Sequence, residues 1–332
     1  MGISYPERGS EIPLDSNENL LLPDDYYREI KDDIDFDLRK YPSPTSSELK
    51  RALADYHDLN QEQVVIDNGS DAILDTVCKT FVSKNGRLGY FHPSYEMYPF
   101  FASRNDRKSV EIPLKADFTM PTTIDFSTEV DTIFICSPNN PSGLTVNREK
   151  IVSLLEKAEL VVIDEAYAEY SKEDNISFLE DYDNLILVRT FSKAWGLAGI
   201  RVGYGLMSAE KGVEYLENML PYSVNSMSSA VALSALDKKS QMKKSIEKTI
   251  EERERLSERL EDMGFNPFPS ETNFLLCKKP AFIDITSLYQ ELLERGVRIR
   301  TFEELKLKDH VRITVADKET NNYLIEQLEE IL

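Results

Sequence analysis

Hydrophobic positions fall into short, nearly continuous runs, separated by stretches where they recur every three or four residues. The runs at 64–66, 87–91, 109–112, 132–136, 160–163, 184–189 and 201–206 read as strands. A strand covered on both faces has no solvent side for polar residues to mark. Between these runs, Leu49, Leu53 and Tyr56 place a helix over 48–56, started by Ser46 or Ser47. Ile73, Leu74, Val77 and Phe81 place another over 71–82, and a third fits 148–158. Tyr41-Pro42-Ser43-Pro44 is an extended turn, because each proline biases its predecessor away from helix. Residues 1–40 are acidic and irregular, with a short helix around 24–32.

After Pro221 the pattern changes. A long, highly charged helix covers 241–263 and continues from one that starts near Met227. Strand 274–277, helix 285–295, strands 297–300 and 311–315 and a closing helix follow. The fold class is therefore α/β: a large domain whose mixed, mostly parallel sheet is covered by helices, plus a smaller α+β domain. The expected division is 41–225 for the large domain and 226–332 for the small one, joined by the long helix. Residues 1–40 form an N-terminal segment associated with the small domain and the active site.

Composition narrows the function. The 332 residues are 41% hydrophobic and 30% charged, which excludes global disorder. Lys plus Arg number 39 against 59 Asp plus Glu, a formal charge of −20. With no cation excess to displace counterions, nucleic acid is not the expected partner. A few convergent Arg and Lys can still make a local site for a small anion. No apolar run approaches the ~20 residues that span a bilayer. Residues 1–8 carry no apolar signal core, so a cytoplasmic location is expected. Cys78, Cys136 and Cys277 stand apart in apolar runs and read as buried thiols in a reducing compartment. His57, His92 and His310 show no ligand spacing, so no metal is expected.

Four segments carry candidate chemistry. In Thr190-Phe191-Ser192-Lys193-Ala194-Trp195-Gly196, Lys193 sits among apolar and small residues, with glycines at 196, 199 and 203 and Arg201 beyond. Most Ser-Lys pairs are surface turns. A desolvated lysine, however, loses its proton readily and can form a Schiff base, and glycines let backbone approach a flat ligand. Asp164 ends the apolar run at 160–163, at the edge where α/β sheets bind ligands, with Tyr167 three positions on. Taken alone, Asp164 is a helix cap. Taken with Lys193, it suits a pyridine ring nitrogen, whose protonation makes the ring an electron sink. Asn140, in Ser137-Pro138-Asn139-Asn140-Pro141-Ser142-Gly143, reads alone as part of a plain loop and is a second donor to such a ring. Gly69-Ser70-Asp71 opens a helix, whose free N–H groups hold phosphate well, although Ser and Asp also cap helices everywhere.

With Tyr41-Pro42, Pro93-Ser94-Tyr95 and Arg201, these motifs resemble the fold-type I pyridoxal-phosphate-dependent aminotransferases in order and spacing over nearly the whole chain. Within that superfamily the chain is similar to the histidinol-phosphate aminotransferases. The cues are Asn17-Glu18-Asn19, Arg189-Thr190-Phe191-Ser192-Lys193-Ala194, Pro221-Tyr222-Ser223-Val224-Asn225 and Val311-Arg312-Ile313-Thr314-Val315. Leu20 and Ala72 depart from the family pattern, which often has proline and an acid there. The resemblance implies an aspartate aminotransferase-like fold and pyridoxal 5′-phosphate as cofactor. It implies Lys193 as the Schiff-base lysine and proton carrier, and Asp164 at the ring nitrogen. Tyr167 and Asn140 would meet the ring's 3-oxygen, and Tyr95 the ring face. Ser70, Asp71, Ser192 and Arg201 would hold the phosphate, with Tyr41 of a partner subunit in a homodimer. Asn19, Asn140, Arg300 and Arg312 would bind substrate. The implied reaction is transamination between an amino donor and a 2-oxo acid, with histidinol phosphate and 2-oxoglutarate first. Alternatives are an aromatic or other amino acid, or decarboxylation of threonine phosphate on the same fold. A nucleotide-binding α/β protein without this cofactor is a rival of another class, but Gly69-Ser70-Asp71 lacks GxGxxG spacing.

Overall fold

The computed structural model describes residues 9–124 and 130–332. Seven strands form one sheet, in the spatial order Val64–Asp67, Gly203–Met207, Leu185–Thr190, Leu160–Asp164, Val130–Cys136, Arg87–His92 and Lys108–Pro113. Strand Gly203–Met207 runs antiparallel to both neighbours, and every other adjacent pair is parallel. The two-residue period of a strand explains the unbroken apolar runs. Val161, Ile163, Leu185 and Leu187 enter one core, while Leu160, Val162, Ile186 and Val188 enter the other. Helices Ser47–His57, Arg148–Leu155 and Ser226–Asp237 close the first core. Helices Gly69–Phe81, Tyr98–Arg104 and Ala209–Asn218 close the second.

A second sheet has the order Ile12–Leu14, Val297–Thr301, His310–Thr314, Phe274–Lys278 and Asn266–Pro267. Its first pair is parallel and the rest antiparallel. Helices Ile285–Glu294 and Lys318–Ile331 cover its apolar face.

Three local features differ from the sequence reading. Residues 12–14 form a strand, docked on the edge of Val297–Thr301. Three residues containing Pro13 are too few to show a period. The long charged helix is two helices, Ser226–Asp237 and Lys239–Asp262, separated at Lys238, whose backbone (φ −100, ψ 20) leaves the helical region. Val231, Ala235, Met242 and Ile246 enter the first core of the large sheet, whereas Leu256 and Leu260 enter the core of the second sheet. The helix Lys239–Asp262 thus passes from one core to the other. The strand expected from 201 starts at Gly203, because Arg201 takes a left-handed backbone (φ 52) after the 3-10 turn Ala198–Ile200.

Cys78, Cys136 and Cys277 are free and buried. His57 lies 3.1 Å from the Tyr204 hydroxyl, and burial pushes its pKa down to about 3. Among the described residues no cluster of His, Cys, Asp or Glu is placed to hold a metal ion, and no helix is long and apolar enough to cross a membrane.

Candidate active site

The central parallel strands end in register. Cys136 pairs with Asp164, and Asp164 with Val188. The loops after these strands carry Asn140, Tyr167 and Lys193, so three stretches far apart in sequence converge at the carboxyl edge of the sheet. Opposite them stands the amino end of helix Gly69–Phe81. Ser70, Asp71, Tyr95, Asn140, Asp164, Tyr167, Ser192, Lys193 and Arg201 line one cavity of about 140 Å³, with Cys136, Ala166 and Thr190.

One end of this cavity suits an anion. Gly69 takes φ +83, and a Cβ there would meet the Arg201 Nη2 at 2.7 Å. A Cβ on Gly203 would lie 2.3 Å from the Ser70 nitrogen. The two glycines therefore let the helix start, the neighbouring strand and the guanidinium crowd together. Arg201 donates to Ser192 Oγ at 3.3 Å and lies 3.4 Å from Asp71 Oδ2. The Tyr95 hydroxyl donates to the other Asp71 oxygen at 2.9 Å.

The other end holds the titratable groups. Asp164 is 5% exposed and, among the described residues, its carboxylate receives neutral donors alone, the Tyr98 hydroxyl at 3.0 Å and the Ala166 N–H at 3.2 Å. Burial raises its pKa to about 7. The Lys193 amine donates to the Ser16 carbonyl at 2.9 Å and lies 5.7 Å from the Tyr167 ring centre. Burial first, and the Arg312 charge second, lower its pKa to about 8. Burial also pushes the Tyr167 phenol up, although its oxygen accepts from Asn17 Nδ2 at 2.9 Å.

A second cavity of about 450 Å³ adjoins the first, sharing Tyr95, Asn140, Tyr167 and Lys193. Arg300 and Arg312 line it and are cross-strand partners in the second sheet. Arg312 donates to Asn140 Oδ1 and to the Asp15 carbonyl, and its buried Nε has no hydrogen-bond partner among the described residues. Burial and the neighbouring Arg300 hold Arg312 below the usual arginine range. Arg300 is half-exposed, with Glu96 at 3.6 Å.

Two candidates stand elsewhere. The Asn19 side chain is spent on the Ala194 carbonyl (2.7 Å), Ser245 Oγ (3.0 Å) and the Leu21 N–H (3.0 Å), so it braces the lysine loop and does not line either cavity. Asn17, two residues earlier, lines the larger cavity instead. Its left-handed backbone (φ 57) turns the chain between the two asparagines, and local periodicity carries no signal for that turn. Tyr41 is 86% exposed and packs against Tyr222 with ring centres 5.4 Å apart and planes tilted by 44°, away from both cavities of its own subunit. The Asp15 and Ser16 carbonyls and Tyr98 were not legible as site groups, because a backbone carbonyl and a core aromatic have no distinguishing sequence pattern.

The family profile of class I and II aminotransferases matches residues 10–328. The chain is 36% identical over 330 residues to a histidinol-phosphate aminotransferase of Caldanaerobacter subterraneus subsp. tengcongensis, covering 96% of this chain and 92% of that one. It is similar in fold to the crystal structure of the histidinol-phosphate aminotransferase from Clostridium acetobutylicum, with TM-score 0.86, 26% identity and coverage of 96% and 98%. The histidinol-phosphate aminotransferase from Sinorhizobium meliloti, solved in complex with pyridoxal-5′-phosphate, shares the fold with TM-score 0.85, 24% identity and coverage of 96% and 91%. With a lysine, a buried aspartate and an anion cradle gathered at one sheet edge, and a family match spanning nearly its whole length, this chain is a member of the class I and II aminotransferase family.

Proposed function

We propose that this chain is a pyridoxal-phosphate-dependent histidinol-phosphate:2-oxoglutarate aminotransferase, working in histidine biosynthesis in the cytoplasm. One observation carries the reading: the cavity holding Lys193 and Asp164 opens into one where Arg300 and Arg312 stand side by side. The first suits the cofactor. The second suits the anionic ends of both substrates, a phosphate and a carboxylate. The relatives of matching length and name support the same assignment.

The residues present fit the cofactor. Asp164 is a buried acid with no cation beside it among the described residues, which a protonated ring nitrogen would supply. The crowded start of helix Gly69–Phe81, with Ser192 and Arg201, would hold the phosphate. Tyr95 would lie on the ring face, and Tyr167 and Asn140 would reach the 3-oxygen. When bound, the cofactor supplies an aldehyde that condenses with amines and a ring that takes up the electron pair released at the substrate Cα.

The chain's own residues then do the following. Lys193 would take the proton from the donor's Cα and return it at the cofactor's C4′ carbon, as base and then acid. Asp164 keeps the ring nitrogen protonated. Arg312, with Arg300, holds the substrate's anionic end, and Asn140 steers the Arg312 side chain. The Asp15 and Ser16 carbonyls accept from Arg312 and Lys193 and hold the two side chains in place. Residues 12–14 join the small domain's sheet, whereas Leu22, Tyr26, Ile30 and helix Ser226–Asp237 pack into the core of the cofactor domain, so the expected divisions at 40 and 225 move: the small domain's core starts only along helix Lys239–Asp262. An amino donor panel tests the substrate. Stopped-flow absorbance of the loaded enzyme should show histidinol phosphate reacting at least about tenfold more efficiently than phenylalanine or aspartate. Preference for an aromatic donor, or carbon dioxide released from threonine phosphate, sinks the substrate assignment. Failure to bind the cofactor sinks the whole reading.

The working unit is a homodimer with shared sites. Leu38, Tyr41, Leu220 and Met227 are exposed apolar side chains, and the Tyr41–Tyr222 contact brings their two stretches of chain together. Tyr41 would reach the phosphate in the neighbour. In hybrids of Tyr41→Ala and Lys193→Ala subunits, one site collects both lesions and the other neither. Activity should recover toward half that of the parent dimer, and confirmed hybrids without recovery would count against shared sites.

A further inference from the structure

Behind the cavity, Tyr98 opens helix Tyr98–Arg104 and is fully buried. Its ring is held edge-on between Tyr95 (centres 5.6 Å apart, planes at 82°) and Phe134 (5.5 Å, 86°). The hydroxyl donates to Asp164 Oδ2 at 3.0 Å, with the Cys136 thiol also beside it. Burial and the Asp164 charge push the Tyr98 phenol well above its ordinary value, so it keeps its proton and serves Asp164 as a donor. The second Asp164 oxygen takes a backbone N–H, from Ala166 at 3.2 Å. The carboxylate is thus oriented by one side chain and one main-chain group, and only the side chain can be changed without moving the loop.

We propose that Tyr98 is a positioning residue for Asp164: its hydroxyl fixes the carboxylate in the orientation that meets the cofactor's ring nitrogen. The inference rests on the reading of this cavity as a pyridoxal phosphate site. A tyrosine in this position does two things. It holds the carboxylate rotamer, and it supplies a hydrogen bond that favours the ionised form in a place where burial opposes it. Tyr95, three residues earlier, lines the cavity itself and touches Tyr98 edge to face. Residues 94–98 therefore deliver both the ring-facing side chain and the support of the acid behind it. A merely structural Tyr98 would fill space, and its hydroxyl would have no bearing on the ring nitrogen.

Tyr98→Phe keeps the shape of the ring and removes the donor. In the loaded variant, borohydride labelling of Lys193 should persist. The pH at which the bound cofactor's visible absorbance changes should shift. The maximal rate of the first half-reaction should fall about tenfold or more, with the donor's apparent affinity within about twofold. The Asp164→Asn background supplies the control. There the acid is gone and only an asparagine oxygen accepts from Tyr98, so adding Tyr98→Phe should change the half-reaction rate little, and this host stays informative even if Tyr98→Phe alone folds poorly. An unchanged spectral titration and rate in Tyr98→Phe, or an equal further loss in the Asp164→Asn background, overturns the proposal. Absence of Lys193 labelling in the parent enzyme overturns the cofactor reading instead.

Discussion

Lys193→Ala should abolish transamination, with both half-reactions falling by roughly ten-thousand-fold, because one amine serves as attachment point and as proton carrier. The site offers no substitute: the amine is buried, and it alone among lysines lines the inner cavity. Borohydride reduction of the loaded parent enzyme, followed by digestion, should recover the pyridoxyl group on the peptide holding Lys193. Recovery on another lysine would refute the assignment. The pH dependence follows from burial. Burial and the Arg312 charge lower the folded pKa of this lysine from its usual 10.5 to about 8. The neutral amine is the nucleophile, so cofactor uptake by the apoprotein should quicken as pH rises through about 8 and then level off. The sign for stability is the same: between about 8 and 10.5 the unfolded lysine binds more protons than the folded one, so this residue's contribution grows as pH rises through that window. Lys193→Ala should lose both dependences.

Arg312→Lys should leave cofactor binding intact and weaken both half-reactions by about 10- to 100-fold, the range of a lost charge-assisted hydrogen-bond pair. Arg312 lies on strand His310–Thr314 with Arg300 directly across, and its buried guanidinium lines the larger cavity and donates to Asn140, which lines both. A lysine keeps the charge and loses the planar fork that takes a carboxylate or a phosphate with two parallel bonds. Arg300 is half-exposed and shared with Glu96, so it supplies a second charge and not the main clamp. Arg300→Ala should therefore harm the phosphorylated donor about tenfold and glutamate much less. Separate stopped-flow measurement of each half-reaction decides this. Unchanged rates and affinities in Arg312→Lys would remove the physical basis for choosing these substrates.

The amino-acid sequence by itself determined the class of the fold and the chemistry-bearing loops. Runs such as 160–163 and 185–188 are apolar at every position, as a short strand buried on both faces requires. Lys193, Asp164 and Asn140 were legible because each sits just after such a strand, at the edge where parallel strands leave room for a ligand. Gly69 and Arg201 were legible for their types, but the positive backbone angle each adopts, which turns them toward one another, was not. The tertiary structure decided the rest. Residues 12–14 become a strand only when the edge of Val297–Thr301 is present to pair with them, and that docking carries Asp15, Ser16 and Asn17 to Arg312, Lys193 and Tyr167. Asn17 and Asn19 look equivalent in sequence, yet a left-handed residue separates a cavity-facing side chain from a bracing one. Tyr98 and Tyr95 are both aromatics of one segment, and only their packing against Phe134 and Asp71 assigns one to the acid and the other to the cavity. Periodicity reports which residues are buried. Which buried group meets which is set by contacts between residues up to 297 positions apart, and no local pattern encodes those.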